Sequence, residues 1–275
     1  MISSDKIISG SCQVETLPGY SNTRIGKELM KSKDKAETKM IRFVLTSDTH
    51  GKHRQLEVPK GDVLLHCGDF TNYGGRDEVR DFSDWLAGLD FKHKIIVAGN
   101  HDYTFDFKKE AHFKEILKHN KQFENEACFD FQDISSELRG CTYLEDSSTE
   151  VFGYKIYGTP YQLEYTDSAF QVPESKLMEV FKKIPLDTQI LMTHSAPHSI
   201  CDTGKLPDMK CGSKSLFEIS RSLPALLYHV FGHTHESYGS HMPEDGAVYL
   251  NACFCFPGYS VGRLPFVFDL PDRSK

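Results

Sequence analysis

Five short apolar runs, each followed within a few residues by cation-binding side chains, constrain this chain more than any other feature. The runs are IRFVLT (Ile41 to Thr46), DVLLH (Asp62 to His66), KIIVA (Lys94 to Ala98), QILMT (Gln189 to Thr193) and LYHVF (Leu227 to Phe231). Each is bounded by polar or glycine residues, as in a strand buried on both faces. Behind them stand SDTH (Ser47 to His50), GDF (Gly68 to Phe70), GNHD (Gly99 to Asp102), THSAP (Thr193 to Pro197) and GHTH (Gly232 to His235). Strand periodicity requires none of these groups. In layered α/β folds the loops at the carboxyl ends of strands converge on one crevice, which predicts a single shared site.

Three more segments read as strands, Tyr154 to Gly158, Ala247 to Asn251 and Leu264 to Leu270, giving about eight. Val79, Phe82, Leu86 and Leu89 recur at helical spacing after Gly74 and Gly75. Pro173 suits the first turn of another helix with an apolar stripe of Leu177, Val180, Phe181 and Ile184. Asp106 to His119 and Ser213 to Ser222 read as further helices. Strands alternating with helices indicate a layered α/β fold, with two sheets because so many strands must be covered. A chain of 275 residues, 39% of them hydrophobic, suffices for one full core. Residues 1–40, with few large apolar groups and the charged run KELMKSKDKAETK, are expected to form a loosely ordered N-terminal extension. Residues 41–275 are expected to form the domain.

The donors on the five loops are carboxylate oxygens from Asp48 and Asp69, an amide oxygen from Asn100, and imidazole nitrogens from His50, His194, His233 and His235. No cysteine is among them. Such a mixed set suits Mn, Fe, Zn, Ni or Co rather than an all-oxygen Ca site or a thiolate zinc site. Seven ligands exceed what one tetrahedral ion uses, yet suit two ions about 3.5–4 Å apart if one carboxylate bridges them. Asp69 is the natural bridge. Singly, an Asp, Asn or His after a strand is usually a turn former or cap, and only the joint occurrence of five such blocks makes the site.

The blocks resemble, in order and spacing, the signature of the calcineurin-like metallophosphoesterase superfamily: DxH, GD, GNH[DE], a lone His, and GHxH. The resemblance runs from about Ile41 to Asp272. It is nearest to the metallophosphoesterase-domain-containing (MPPED) group, through SDTHGKHRQ, DVLLHCGDFTNYGG, IIVAGNHD, LMTHSAP and the terminal FVFDLP. It implies a layered α/β sandwich, two mixed β-sheets flanked by helices, that holds two divalent or trivalent transition-metal ions, with Mn taken first. It also implies that Asp48, His50 and His235 hold the first ion, Asn100, His194 and His233 the second, and Asp69 both, with His101 facing the substrate. Some members of the nearer group have Gly where this chain has His233, so the ligand set here is complete. The chain departs from the pattern in THSAP, where Gly-Pro often follows the His, and in GNHD, where Glu is common.

Two cations lower the pKa of a bridging water toward neutrality, which makes hydroxide the expected nucleophile on phosphorus. His101 is expected to bind phosphoryl oxygens or protonate the leaving group, with Asp102 orienting its imidazole. The resemblance points to small phosphodiesters, cyclic nucleotides among them, as substrates. A phosphomonoesterase or protein Ser/Thr phosphatase is the enzymatic alternative. It is disfavoured because GDFTNYGG and GNHDYTFD lack the arginines that grip phosphate in that branch, Arg76 coming only later. A non-catalytic interaction scaffold is the alternative of another class.

The remaining candidates read as structural. His53, His66, His198, His229 and His241 suit surface or hydrogen-bonded roles, with His53 and His198 near enough to motif loops to touch substrate. Asn72 and Tyr73 read as turn formers, Asn251 as structural, and Cys253 and Cys255 as half-buried strand thiols without a second pair to complete a metal site. The eight cysteines read as reduced thiols of a cytoplasmic protein, since no secretory apolar segment opens the chain. A formal net charge of −7 argues against duplex nucleic acid as a partner, and the absence of any run of about 18 apolar residues argues against a membrane span.

Overall fold

All eight strands expected from the sequence form, and they divide between two six-stranded sheets. The computed structural model describes residues 12–32, 39–118, 131–206 and 208–274. Sheet one runs β1 (Cys12–Gln13), β14 (Phe266–Pro271), β2 (Met40–Thr46), β3 (Val63–Cys67), β4 (His93–Val97) and β5 (Thr142–Tyr143). Sheet two runs β12 (Gly239–His241), β13 (Val248–Asn251), β11 (Tyr228–Phe231), β10 (Ile190–Thr193), β7 (Tyr154–Thr159) and β6 (Ser147–Val151). Both are mixed. The strands β2 to β5 are parallel with β14 antiparallel to β2, while β7, β10, β11 and β13 are parallel with antiparallel β6 and β12 at the edges.

Alternation along each strand divides the core in two. Phe43, Leu45, Val63, Leu65, Ile95 and Val97 of sheet one meet Ile156, Ile190, Met192, Tyr228, Val230 and Leu250 of sheet two. Tyr228 stacks on Phe268 across that interface with ring centroids 3.9 Å apart. The intervening residues, such as Val44, Leu64, Ile96, Leu191 and Phe231, belong to a second cluster shared with the helices. Those helices are α1 (Arg24–Ser32), α2 (Arg76–Ala87), α3 (Glu110–Lys118), α4 (Glu174–Phe181) and α5 (Lys214–Ser222). α2 buries Val79, Phe82 and Leu86 but ends at Gly88, short of Leu89. α5 starts where the Ser213 hydroxyl accepts from the Leu216 N–H. α3 begins later than the sequence suggests, and His119 lies outside the described residues.

A loosely ordered segment does not describe residues 12–32. Here β1 pairs with the otherwise open edge of β14, and Val14, Tyr20, Ile25 and Leu29 are buried. The Tyr20 and Tyr228 hydroxyls lie 2.9 Å apart, and Arg24 donates to the carbonyl of Leu226 at 2.6 Å. Few apolar residues suffice because Ile25 and Leu29, four apart, share one helical face. The rest of the expected extension before Lys39 lies outside the described residues. The strands without a sequence signal, β5, β6, β12 and the small pair β8 (Gln162–Leu163) and β9 (Gln171–Val172), are short or, like the SSTEV of β6, mostly exposed and polar. Among the described residues no helix is long and apolar enough to cross a membrane.

Candidate metal centre

The loops leaving β2, β3 and β4 of sheet one and β10 and β11 of sheet two bring all seven expected donors together. They do so through unusual backbone: Asp48, His50, Asp69 and His233 have φ of 54°, 43°, 52° and 65°. Such left-handed residues cost about 1–3 kcal/mol each and persist where the surroundings over-determine them. Here the Asp48 N–H donates to Gly68 O at 2.9 Å and the His50 N–H to Asp69 O at 3.0 Å, locking the first two loops side by side. The glycines of the motifs permit the approach. A Cβ on Gly99 would stand 2.3 Å from Asp69 Oδ1, and one on Gly232 would stand 2.0 Å from Asp48 Oδ2.

The donor atoms fall into three groups, each within 4.8 Å: Asp48 with His50 and His235, Asp69 with His194 and His233, and His50 with Asp69 and His101. Asn100 Oδ1 lies 3.0 Å from His194 Nε2. His101 therefore stands nearer the cluster than an outer role implies. Asp48 and Asp69 carboxylates are fixed by main-chain donors: His233 N–H gives to Asp48 Oδ2 at 2.9 Å and His101 N–H to Asp69 Oδ1 at 2.8 Å.

Tautomers show whether cations fit. His194 Nδ1 lies 2.8 Å from Cys67 O and His235 Nδ1 lies 3.3 Å from Phe256 O, so each Nδ1–H donates to a carbonyl and the neutral ring keeps its lone pair on Nε2. Those lone pairs face other acceptors: His194 Nε2 is 3.3 Å from Asp69 Oδ2, and His235 Nε2 is 3.3 Å from Asp48 Oδ1. Acceptors aimed at acceptors repel unless positive charge lies between them. The donors therefore fit cations bound among them.

Electrostatics agree. Burial opposes ionisation of Asp48 and Asp69, but the surrounding histidines hold both carboxyls well below the usual range. Burial alone would lower His194, yet Asp69 and Asp48 carry it to about 9, so positive charge is drawn to its Nε2. Burial depresses His50 to about 3 and His233 to about 4, which keeps both rings neutral and able to ligate at pH 7.

Asp102 does not orient the His101 ring. The His101 Nδ1–H donates to the Asn72 carbonyl at 2.8 Å instead. Asp102, fully buried three residues after Gly99, accepts from the backbone N–H groups of Gly99, Asp69 and Thr71 and from the Thr71 hydroxyl. Burial and the charge of Asp69 push its pKa up to about 8, against the pull of those donors. Its role is to clamp the Asp69 loop to the Asn100 loop. Glu78 holds the same stretch from outside, accepting from the N–H groups of Asn72, Tyr73 and Gly75.

His53 pairs with Asp81, His198 leans toward Asp202, His66 bonds Thr49 and His229 bonds Thr193, and none of the four lines the cavity beside the cluster. Cys253 and Cys255 are fully rather than half buried. Burial and Asp48 push the Cys253 thiol upward, and its S–H donates to Asp48 Oδ2 at 3.2 Å. Asn251 ties the GHTH loop by donating to Thr234 O at 3.0 Å while accepting from Cys253 N–H. The sequence offers no signal for those of these pairings that join residues far apart in the chain, such as Cys253 with Asp48.

A model of the calcineurin-like phosphoesterases matches residues 41–237, spanning every expected donor. The chain belongs to that family. Human and mouse metallophosphoesterase domain-containing protein 1 are each 36% identical to it over 232 residues, covering 84% of this chain and 71% of the relative. A UPF0046 protein of Caenorhabditis elegans is 35% identical over 237 residues, covering 84% and 81%. Membership in the calcineurin-like phosphoesterases accords with the donor chemistry: a phosphoester-hydrolysing family and a cluster built to take metal ions.

Proposed function

We propose that this chain hydrolyses small phosphodiesters, cyclic nucleotides among them, at a dinuclear metal centre. The observation that carries the diester preference is the lining of the cavity beside the cluster. That cavity, of about 570 Å³, is bordered by Asp69, Asn100, His101, His233 and His235, and its cationic side chains are Lys205 and Lys210, without arginine among the described residues. A monoester dianion suits the planar fork of arginine, which binds phosphate bidentately. A diester carries one charge and needs less. Arg76, the nearest candidate in sequence, pairs with Glu137 and donates to Gln132 O.

Asp48, His50 and His235 would hold one ion, Asn100, His194 and His233 the other, and Asp69 both. Bound there, such ions supply positive charge against the phosphoryl oxygens and lower the pKa of bound water. The chain's own groups do the rest. Because His101 Nδ1 is committed to the Asn72 carbonyl, its Nε2 is the atom that exchanges a proton, and from the cavity wall it delivers that proton to the leaving oxygen. Asp102 keeps the Asp69 and Asn100 loops in register, and Lys205 attracts the anionic substrate, Lys210 being paired with Asp202 at 3.3 Å.

The test is turnover of bis(p-nitrophenyl) phosphate against p-nitrophenyl phosphate with Mn, Ni, Co, Zn and Mg in turn, followed by 2′,3′- and 3′,5′-cyclic nucleotides. The diester should have the higher kcat/KM, with Mn the best metal. Preference for the monoester would overturn the diesterase assignment, and no hydrolysis with any metal would favour a scaffold.

A further inference from the structure

Tyr259 lies in the connection between β13 and β14 with a φ of 64°. A bulky aromatic residue in the left-handed region is an outlier that points to a constraint. Phe152 and Phe170 share the conformation. Phe170 is 1% exposed, so core packing accounts for it, and the Phe152 ring packs against His93 with centroids 5.2 Å apart. Tyr259 is 41% exposed, and the core does not account for it.

Its turn is built to hold the residue in place. The Tyr259 N–H donates to Phe256 O at 2.9 Å, the Phe256 N–H donates to Ser260 O at 2.8 Å, and Lys52 donates to the Tyr259 carbonyl. Arg263 braces the base of the turn by donating to Cys255 O at 2.8 Å. So held, the Tyr259 ring centroid lies 4.7 Å from that of His50, 5.4 Å from His235 and 6.3 Å from His101. It thus borders the donor cluster and lines the cavity, whose lining also includes Tyr103, Leu163, Tyr165 and Met209. Tyr165 is 66% exposed, a second large ring left open beside the same site.

We propose that Tyr259 is a substrate-contacting specificity residue, whose ring packs against a planar aromatic ester group of the diester while the donor cluster takes the phosphate. The inference rests on the diesterase assignment above. An exposed aromatic ring, anchored at the edge of a charged centre, offers area to a flat organic group at little entropic cost, because its backbone is already fixed. It offers nothing comparable to the phosphate.

The test is isothermal titration of the Mn-loaded protein with diphenyl phosphate and with inorganic phosphate. Tyr259→Gly should weaken diphenyl phosphate binding by about 10-fold or more, the scale of losing one stacking ring, and inorganic phosphate binding by less than about 3-fold. Tyr259→Phe, which keeps the ring, should restore diphenyl phosphate binding to within about 3-fold of the parent. Glycine adopts a φ of 64° without strain, so its melting temperature should not fall. Tyr259→Asn, also tolerated there, takes its place if the glycine variant fails to fold. Equal weakening of both probes, unchanged diphenyl phosphate affinity in the ring-less variants, or no binding of diphenyl phosphate by the parent would overturn the inference. Hydrolysis of bis(p-nitrophenyl) phosphate, measured in parallel, separates the two claims. Diester turnover with Tyr259-independent binding sinks the Tyr259 role alone, whereas Tyr259-dependent binding without diester turnover sinks the diesterase assignment alone.

Discussion

Of the seven expected ligands, the loops leaving β2, β3 and β4 carry Asp48, Asp69, Asn100 and one imidazole, His50, whereas those leaving β10 and β11 carry three imidazoles, His194, His233 and His235, and no carboxylate. Sheet one brings the carboxylates and sheet two brings imidazole nitrogen. Two of the three compact groups cross between them, Asp48 and His50 meeting His235, and Asp69 meeting His194 and His233, while His50, Asp69 and His101 meet on the loops of sheet one alone. Neither sheet alone presents a complete set, so the centre exists only because the sheets pack face to face. The two sheets also share a device. His66 of β3 bonds the Thr49 hydroxyl at 3.1 Å and His229 of β11 bonds the Thr193 hydroxyl at 2.9 Å, each a buried histidine steadying a motif loop.

The asymmetry between the sheets is broken most severely at Asp69, the one carboxylate proposed to serve both ions. Asp69→Ala should lose both, with turnover falling beyond the ~10²–10⁴ range expected for removing a single proton-transfer group. His233→Gly removes one neutral donor of sheet two and should leave about one ion per chain with suppressed turnover. Metal analysis of the two purified variants makes the comparison. Two ions and full activity in His233→Gly would show that the ligands are divided wrongly.

A smaller effect is expected at His101, which belongs to sheet one's loops and is proposed to act on the substrate. His101→Ala should lower kcat by about 10²–10⁴ with both ions still bound. Equal metal content together with unchanged kcat would remove it from the chemistry.

The paired histidines give the smallest effect and test the likeness between the sheets. Burial depresses His66 and His229 to about 3, so in the folded chain both stay neutral between that pH and their ordinary value near 6.5. The unfolded chain binds protons in that window and the folded chain does not. Their contribution to stability is therefore complete above about pH 6.5 and is lost as pH falls toward 3, by on the order of 1 kcal/mol per pH unit for each histidine. Urea unfolding at pH 7 and pH 5, with a chelator present, should show a shallower pH dependence in both His66→Gln and His229→Gln than in the parent. A change in only one variant would mean that the two sheets are not built alike.

Much of this architecture was legible beforehand because strand burial and motif position are local. IRFVLT, DVLLH and KIIVA announce β2, β3 and β4 by composition alone, and the polar groups behind them mark the convergent ends. The exposed SSTEV of β6 announces nothing, since an edge strand with polar side chains has no apolar alternation to read. Residues 12–32 carry little local signal for a related reason: the pairing of β1 depends on the open edge of β14, formed more than 200 residues later. At the site, the separation between Cys253 and Asp48, 205 positions, hides a hydrogen bond that no motif encodes.

By itself, then, the sequence determined which side chains converge as candidate donors and that strand ends present them, because hydrophobic runs and short motifs act within a few residues. Only the tertiary structure decided how those side chains group, that Asn72 rather than Asp102 orients His101, that Asp102 clamps two loops, and that Tyr259 borders the centre. The physical reason is that hydrogen bonds and ring contacts depend on distance in space, which is set by two sheets packing together rather than by position along the chain.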